Sequence, residues 1–411
     1  MKLSWRPYQK KIINKAREVI NKYNFIYLAM EVRTGKTLTS LGIAQACGFK
    51  HVVFITKKKA ISSIVADYKL LNPSYKCEVI NYESMHKLMI TRCDFLVLDE
   101  AHGLGAFPKP SNRAKNIKEF IRKYNCCVCL LSGTPTPESY SQMYHQVYGI
   151  PTNPFNHFKN FYAFTQDYVK VTRKKINSMY INDYSKGKIS ILNTMKPYTI
   201  SYTQKEAGFK VETTEKVLEV EMKSSTYEVA TRLKRHNVVE GKDETILGDT
   251  PAKLMNKLHQ LYSGTIIFES NKGVILDYSK AEFIRKYFKG KKIGIFYKFR
   301  QELKAIQEIF GDDITTELDK FDTTKKSIAL QIVSGREGIS LKNAEALVYY
   351  NIDFSATSYW QSRDRMTTKE RLKNDVYWVF SKDGIEKDIY KTVINKKDYT
   401  INHFKKGLLS L

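Results

Sequence analysis

The chain contains no apolar run that approaches the ~20 residues a bilayer-spanning helix needs. Its first residues, MKLSWRPYQK, do not read as a secretory signal. Membrane insertion and export are therefore not expected. Cysteine is scarce, with only six in 411 residues, at positions 47, 77, 93, 126, 127 and 129, and no paired zinc-type arrangement. The CCVCLL run reads as a buried strand in which cysteine is a small hydrophobe. A reducing, cytoplasmic setting follows. Acidic residues are also few: 42 Asp and Glu stand against 68 Lys and Arg, a formal net charge of +26. A surface so positive attracts polyanions, of which nucleic acid is the commonest. The other reading is a solubility surface, or an AT-rich genome that writes many Lys, Asn, Ile and Tyr codons. No internal repeat or low-complexity tract is present.

What the chain does have is a set of short apolar runs separated by helical patterns. In the first half these are FIYLAM (25–30), HVVFIT (51–56), FLVLDE (95–100) and CCVCLLS (126–132). In the second half they are KIGIFY (292–297), SIALQIV (327–333), ALVYYN (346–351) and VYWVFS (376–381). Continuous apolar strands alternating with helices predict parallel sheets covered on both faces. The fold class expected is α/β, with two parallel-sheet units in tandem. Residues 1–150 form the first lobe and 251–411 the second, with a helical or irregular insertion at 151–250. The stretch 151–290 reads as mostly helical, and 172–188 as an exposed insertion or loop. TPAKLMNKLHQLYSG (250–264) reads as a helix with Asp249 or Thr250 as N-cap and Gly264 beyond its end.

LAMEVRTGKTLTS (28–40) places Gly35, Lys36 and Thr37 between a strand and a helix, the setting a phosphate loop requires. Backbone N–H groups at such a helix start surround a phosphate, Lys36 reaches the β and γ oxygens, and the Thr37 hydroxyl joins Mg²⁺. Arg33, Thr34, Gly35, Lys36, Thr37 and Leu38 are the candidate nucleotide contacts. FLVLDEAHG ends a second strand in Asp99 and Glu100. Asp99 is the candidate Mg²⁺ residue, and Glu100 the base that orients and deprotonates water. The alternative for this pair is an acidic N-cap.

Together these motifs resemble those of superfamily-2 helicases, and within them the SNF2-like branch in a compact phage- or virus-type form with a DEAH box. LSWRPYQKKII resembles the adenine-reading Q motif, with Gln9 as the reader. AMEVRTGKT resembles the branch's loop A-D-E-M-G-L-G-K-T, with Arg33 where a glycine is usual. LDEAHGLG and LLSGTPTPES resemble motifs II and III, IGIFYKFRQELKAI motif IV, and IVSGREGISLKNAEALVYYNIDFSATSYWQSRDRM motifs V and VI. In motif VI, Gln361 and Arg365 match, while Thr368 stands where a second arginine belongs. Arg365 is the first candidate for the arginine that stabilises charge on the γ-phosphate. Arg363 is the second, with a salt bridge to a nearby carboxylate as its alternative. Gly338 joins the nucleotide set. The resemblance implies that His102, with Ser132 and Thr134, couples the nucleotide site to motif III.

The resemblance also implies that the two units are RecA-like parallel-sheet lobes in tandem, with ATP and Mg²⁺ as cofactors, and ATP that bridges the two lobes, closes them and releases them on hydrolysis. DNA contacts are expected from loops at strand ends: Lys57, Lys58, Ser84, Ser111 and Arg113 in the first lobe, Lys298, Ser334 and Arg336 in the second. For Lys57 and Lys58 the alternative is a solvated cap on the following helix. Such contacts follow the backbone without reading bases. The function implied is an ATP-dependent helicase or translocase, acting as a monomer on double-stranded or branched DNA, in a host cytoplasm if viral. An RNA helicase and a non-hydrolysing ATP-binding scaffold are the alternatives.

Overall fold

The computed structural model describes residues 4–176, 179–335 and 339–395. The chain divides into two compact units, Met1–Phe209 and Lys210–Leu411. Each is α/β and built on a six-stranded sheet whose strand pairs are all parallel. In the first sheet the spatial order is Lys76–Asn81, His51–Thr56, Phe95–Leu98, Cys127–Leu131, Phe25–Met30, Thr199–Tyr202. In the second it is Ile314–Thr315, Ser327–Gln331, Ile293–Tyr297, Ala346–Tyr349, Lys373–Ser381, Glu212–Val220.

The apolar runs become central strands because both faces of each sheet are covered. Side chains alternate across a strand, so a strand buried on both faces must be apolar at every position. In the first unit Phe25, Tyr27, Val53, Ile55, Leu96, Leu98, Val128 and Leu130 pack into one core. Their sequence neighbours Ile26, Leu28, Val52, Phe54, Phe95, Val97, Cys127 and Cys129 pack into the core on the opposite face. The second unit repeats the division, with Phe296, Leu347, Tyr349 and Trp378 on one side and Ile295, Val348, Tyr350 and Val379 on the other. All six cysteines are free thiols. No helix among the described residues is long and apolar enough to cross a membrane.

The stretch 151–290 differs from its helical reading. It holds an antiparallel hairpin (Thr172–Ile176 with Met179–Asp183) and strand Thr199–Tyr202, which closes the first sheet beside Phe25–Met30. Strand Glu212–Val220 pairs with Lys373–Ser381 over nine residues and forms the edge of the second sheet. So 151–250, expected as one insertion, is divided between the two units at 209/210. The reason is that edge strands keep one side in water and carry polar residues that mask a strand pattern. The helix read at 250–264 spans Pro251–Leu261, and its cap is Thr250, whose Oγ1 accepts from Lys253 N at 3.3 Å. Gly264 follows at φ +83°, where a Cβ would lie 2.2 Å from the Asp277 carbonyl oxygen.

One buried ion pair ties the second unit together. Lys280 Nζ donates to Glu386 Oε1 at 2.6 Å, and neither side chain has any solvent exposure. Ser381 Oγ also donates to this carboxylate. Removing one partner leaves an uncompensated charge in a low-dielectric core. Lys280→Met is therefore expected to destabilise the protein by about 3–5 kcal/mol. Lys280→Met combined with Glu386→Leu should recover most of that loss, as read from urea unfolding midpoints.

Candidate nucleotide site and its relatives

Strand Phe25–Met30 runs out of its core into residues 31–35, and helix Lys36–Ala46 starts directly after them. Gly35 holds the N-cap position at φ +84°, and no side chain caps the helix. The first-turn N–H groups, which have no acceptor inside a helix, face outward beside a positive dipole end. Eight non-glycine residues among those described have positive φ. Six are Asn or Asp, which tolerate that region, and the other two are Arg33 (φ 63°) and Glu100 (φ 50°). Arg33 thus occupies the left-handed conformation that explains why a glycine is usual there. Both strained residues lie in the candidate site, where strain is held by surrounding structure.

That surrounding structure is specific. Thr34 is buried; its Oγ1 donates to Glu31 O at 2.7 Å, and its own carbonyl accepts from Tyr8 Oη at 2.9 Å. Tyr8 stacks on Tyr202 at 4.6 Å. Glu31 Oε2 accepts from Gln204 N at 2.7 Å, and Gln204 Nε2 donates to Val32 O at 3.0 Å. Gln9 is buried, its Oε1 accepting from Arg6 N and its Nε2 donating to Thr39 Oγ1 at 3.3 Å. A Cβ on Gly35 would lie 2.7 Å from Gln9 Nε2, so glycine is needed there for space as well as for φ. Thr37 and Leu38 are half-buried in the first helical turn.

Asp99 and Glu100 follow strand Phe95–Leu98, which pairs with His51–Thr56. The pairing sets Thr56 beside Asp99, and Thr56 Oγ1 donates to Asp99 Oδ2 at 2.8 Å. Tyr82 Oη donates to the Asp99 carbonyl at 2.7 Å. Burial, and then the Glu100 charge, push the Asp99 carboxyl up to about 6, against the pull of Thr56 and Lys36. His102 Nδ1 lies 3.3 Å from Glu100 Oε2 and 3.0 Å from Ser132 Oγ, and Ser132 Oγ accepts from Thr134 N at 3.1 Å. A continuous row therefore runs from Glu100 through His102 and Ser132 to Thr134. Lys36 borders the same segment: a Cβ on Gly133 would lie 3.3 Å from Lys36 Nζ. The Thr134 hydroxyl is buried and has no hydrogen-bond partner among the described residues.

These groups fit a magnesium–nucleoside triphosphate. An ammonium, an uncapped helix start and an orphaned hydroxyl suit phosphate oxygens, while Thr37 and Asp99 offer oxygen ligands. Among the described residues no cluster of three or more His, Cys, Asp or Glu could hold a metal. A divalent ion here would draw its other ligands from water and phosphate, as Mg²⁺ does.

The remaining expected residues are placed differently. Lys58 is exposed and makes no ion pair among the described residues, while Lys57 is half-buried just before the turn Lys58–Ala60. Ser84 is half-buried in the turn Tyr82–Lys87. Ser111 caps helix Asn112–Tyr124, accepting from Ala114 N at 3.2 Å. Arg113 pairs with Glu83 and lies 5.4 Å over the Tyr82 ring. In the second unit Lys298 is not an open cation: Nζ pairs with Asp353 Oδ1 at 3.0 Å and lies 3.7 Å from the Phe354 ring centroid. Its partner is 55 residues away, so no local pattern announces it. Ser334 lies in the helical turn Ile332–Gly335. Arg336 and Gly338 lie outside the described residues.

Motif VI is held by a residue that sequence reading missed. Gln361 is buried on helix Ala356–Arg363, and its carbonyl accepts from Arg365 Nε at 2.9 Å. Arg365 Nη1 reaches Ile339 O at 3.4 Å. Arg363 Nη1 donates to Glu215 Oε1 at 2.8 Å and its guanidinium lies 4.4 Å over the Trp360 ring. The same Glu215 carboxylate accepts from Tyr359 Oη, Trp378 Nε1 and Tyr390 Oη. Arg363 has the salt bridge that was its alternative reading, but to a carboxylate 148 residues away.

The family model described as SNF2-related domain matches residues 44–263, more than half of the chain. The chain belongs to the SNF2-related family. The family match covers the Asp99–Glu100 and Ser132–Thr134 segments but starts after the Lys36 loop and ends before motifs IV to VI. Two solved structures from Sulfolobus solfataricus are similar across most of the chain. One is its SWI2/SNF2 ATPase core in complex with double-stranded DNA, at 14% identity, over 99% of this chain and 93% of that one, with a TM-score of 0.42. The other is the SWI2/SNF2 ATPase core domain, at 15% identity, over 96% and 89%, with the same TM-score. No curated protein matches the chain.

The raised Asp99 carboxyl gives a pH signature for the metal-free protein. The folded state retains a proton that the unfolded chain releases near the ordinary aspartate value. This group's contribution to stability is therefore full below that value and is lost as pH rises through about 6. Asp99→Asn should abolish that loss and be the more stable protein at pH 7, by on the order of 2–3 kcal/mol. Urea unfolding between pH 4 and about pH 8 checks it.

Proposed function

We propose that this chain is an ATP-driven motor that moves along double-stranded or branched DNA, gripping the sugar–phosphate backbone with little regard to base sequence. The observation that carries the reading is the contiguous row Glu100–His102–Ser132–Thr134, with Lys36 beside it. It joins a carboxylate able to act on water to a segment that can register the state of a phosphate. The net charge of +26 and the exposed Lys58 at a strand end support a polyanionic track. The order of the sequence motifs supports the compact phage- or virus-type form with its DEAH box.

Each residue then has a task. Lys36, with the first-turn N–H groups, binds phosphate oxygens. Thr37 and Asp99 would hold Mg²⁺, which when bound neutralises charge on those oxygens. Glu100 orients a water molecule and accepts its proton. Gln9, fixed by Arg6, Thr39 and Gly35, is the adenine reader. Arg365 is assigned the stabilisation of charge on the departing phosphate. Arg363 keeps the helix bearing Gln361 in place through Glu215.

Lys36→Ala should abolish ATP hydrolysis with DNA binding largely kept, and Glu100→Gln should bind ATP without turning it over. Measuring DNA-stimulated phosphate release and nucleotide binding side by side tests both; wild-type turnover in either variant removes the site. Arg365→Ala should lower turnover roughly 10³-fold or more with little change in unfolding midpoint. Arg363→Ala should instead lower stability by ~1–3 kcal/mol, read from the unfolding midpoint, because Glu215 loses its charged partner. The same assay with duplex DNA, single strands and RNA separates a DNA translocase from an RNA helicase. A chain without turnover on any of them is a scaffold.

A further inference from the structure

The motif residues of the second unit follow the carboxyl ends of its parallel strands, as Lys298 follows Ile293–Tyr297 and Asp353 follows Ala346–Tyr349. The opposite end of the same sheet carries a large open bowl of about 1080 Å³. Its wall includes Lys292, Ser327 and Glu345, which stand at or just before the starts of three neighbouring strands. The bowl is strongly cationic. Lys286, Lys289, Lys291 and Lys325 line it, all are exposed, and none makes an ion pair among the described residues. Gly290, at φ +78°, turns the chain between Lys289 and Lys291.

The other charges in the lining are already engaged. Arg285 pairs with Asp313 at 3.3 Å, and Lys292 Nζ donates to the Phe321 and Thr324 carbonyls. Glu345 Oε1 accepts from Lys292 N at 2.8 Å. Of the acids, only Glu282 has no bonded side-chain partner among the described residues, so four open ammonium groups face one open carboxylate. The lining as a whole holds six basic and three acidic side chains, a net charge of +3 whose mutual repulsion a bound polyanion relieves.

We propose that this bowl is a second nucleic-acid contact, which takes the phosphodiester backbone at the end of the second unit's sheet opposite its motif residues. Lysines on flexible stems are point charges that follow phosphates without reading bases. A protein partner needs apolar anchors in the core of its interface, yet the bowl's aromatic residues Phe288 and Phe310 are 3% and 6% exposed. The chemistry therefore favours phosphates over an acidic protein surface. The inference shares its partner with the motor reading and adds a contact outside the motifs.

The test replaces Lys286, Lys289, Lys291 and Lys325 together by Ala, in the full chain and without nucleotide. Binding of a labelled oligo(dT) strand is titrated at several salt concentrations. The affinity is expected to fall at least ~10-fold at low salt, and the slope of log K against log[salt] to become shallower by about 2–3, since each released contact contributes ~0.7. The fourfold Lys→Arg variant should retain both. Unchanged affinity and slope in the Ala variant overturn the proposal. So does polyglutamate that displaces the strand from the wild type but not from the Ala variant, since the bowl is then an acidic-protein site. Equal urea midpoints for the three proteins establish that folding is intact. Lys36→Ala should leave the slope unaltered, so loss of the motor reading and loss of this contact are read separately.

Discussion

Parallel pairing is the constraint on which both units depend. When every strand of a sheet points the same way, each strand-to-helix loop emerges at the same edge, whatever its place in the sequence. In the first unit this brings the loop after residue 30, the turn after 56, the Asp99–Glu100 pair and the Ser132–Thr134 segment to one border. The cross-strand hydrogen bond from Thr56 to Asp99 follows from the register of His51–Thr56 against Phe95–Leu98. Two apolar cores, one on each face, hold that register. They also hold Arg33 and Glu100 in a backbone region that neither residue prefers.

The row from Glu100 to Thr134 has a further property. It contains a carboxylate, an imidazole, a hydroxyl and a backbone N–H, each within hydrogen-bonding range of the next. Glu100 and Ser132 meet the same ring nitrogen of His102, Nδ1, so the two contacts share one proton position. His102 is buried and cannot exchange these partners for water at no cost. In the second unit Glu215 plays a comparable organising part, because one carboxylate gathers donors from two helices and a strand. The charge on Arg363 is thereby fixed to the scaffold, whereas Arg365 donates to the Gln361 and Ile339 carbonyls although the two are neighbours in sequence.

Much of this was legible in the sequence, and the limits have physical causes. The eight central strands were readable because burial on both faces writes an unbroken apolar run. Edge strands such as Lys76–Asn81 and Glu212–Val220 were not, because water on one side admits Lys, Glu and Thr at alternate positions. The strand–loop–helix around Lys36 and the strand-end position of the Asp-Glu pair were readable because strand, turn and helix start are local. The fates of Lys298 and Arg363 were hidden because their carboxylates lie 55 and 148 residues off. The strand ETTEKVLEV carries three Glu, and nothing in its pattern distinguishes Glu215 from the others as the anchor of Arg363.

Strand Glu212–Val220 has a practical consequence for anyone who wishes to isolate the second unit. A fragment begun at 251, where the helical pattern is clearest, would omit that strand. It would bare the nine-residue backbone edge of Lys373–Ser381, an invitation to intermolecular strand addition and aggregation. It would also strand Arg363 without its counter-charge. A fragment begun at 210 would carry its own edge protection and its own anchor for the arginine helix.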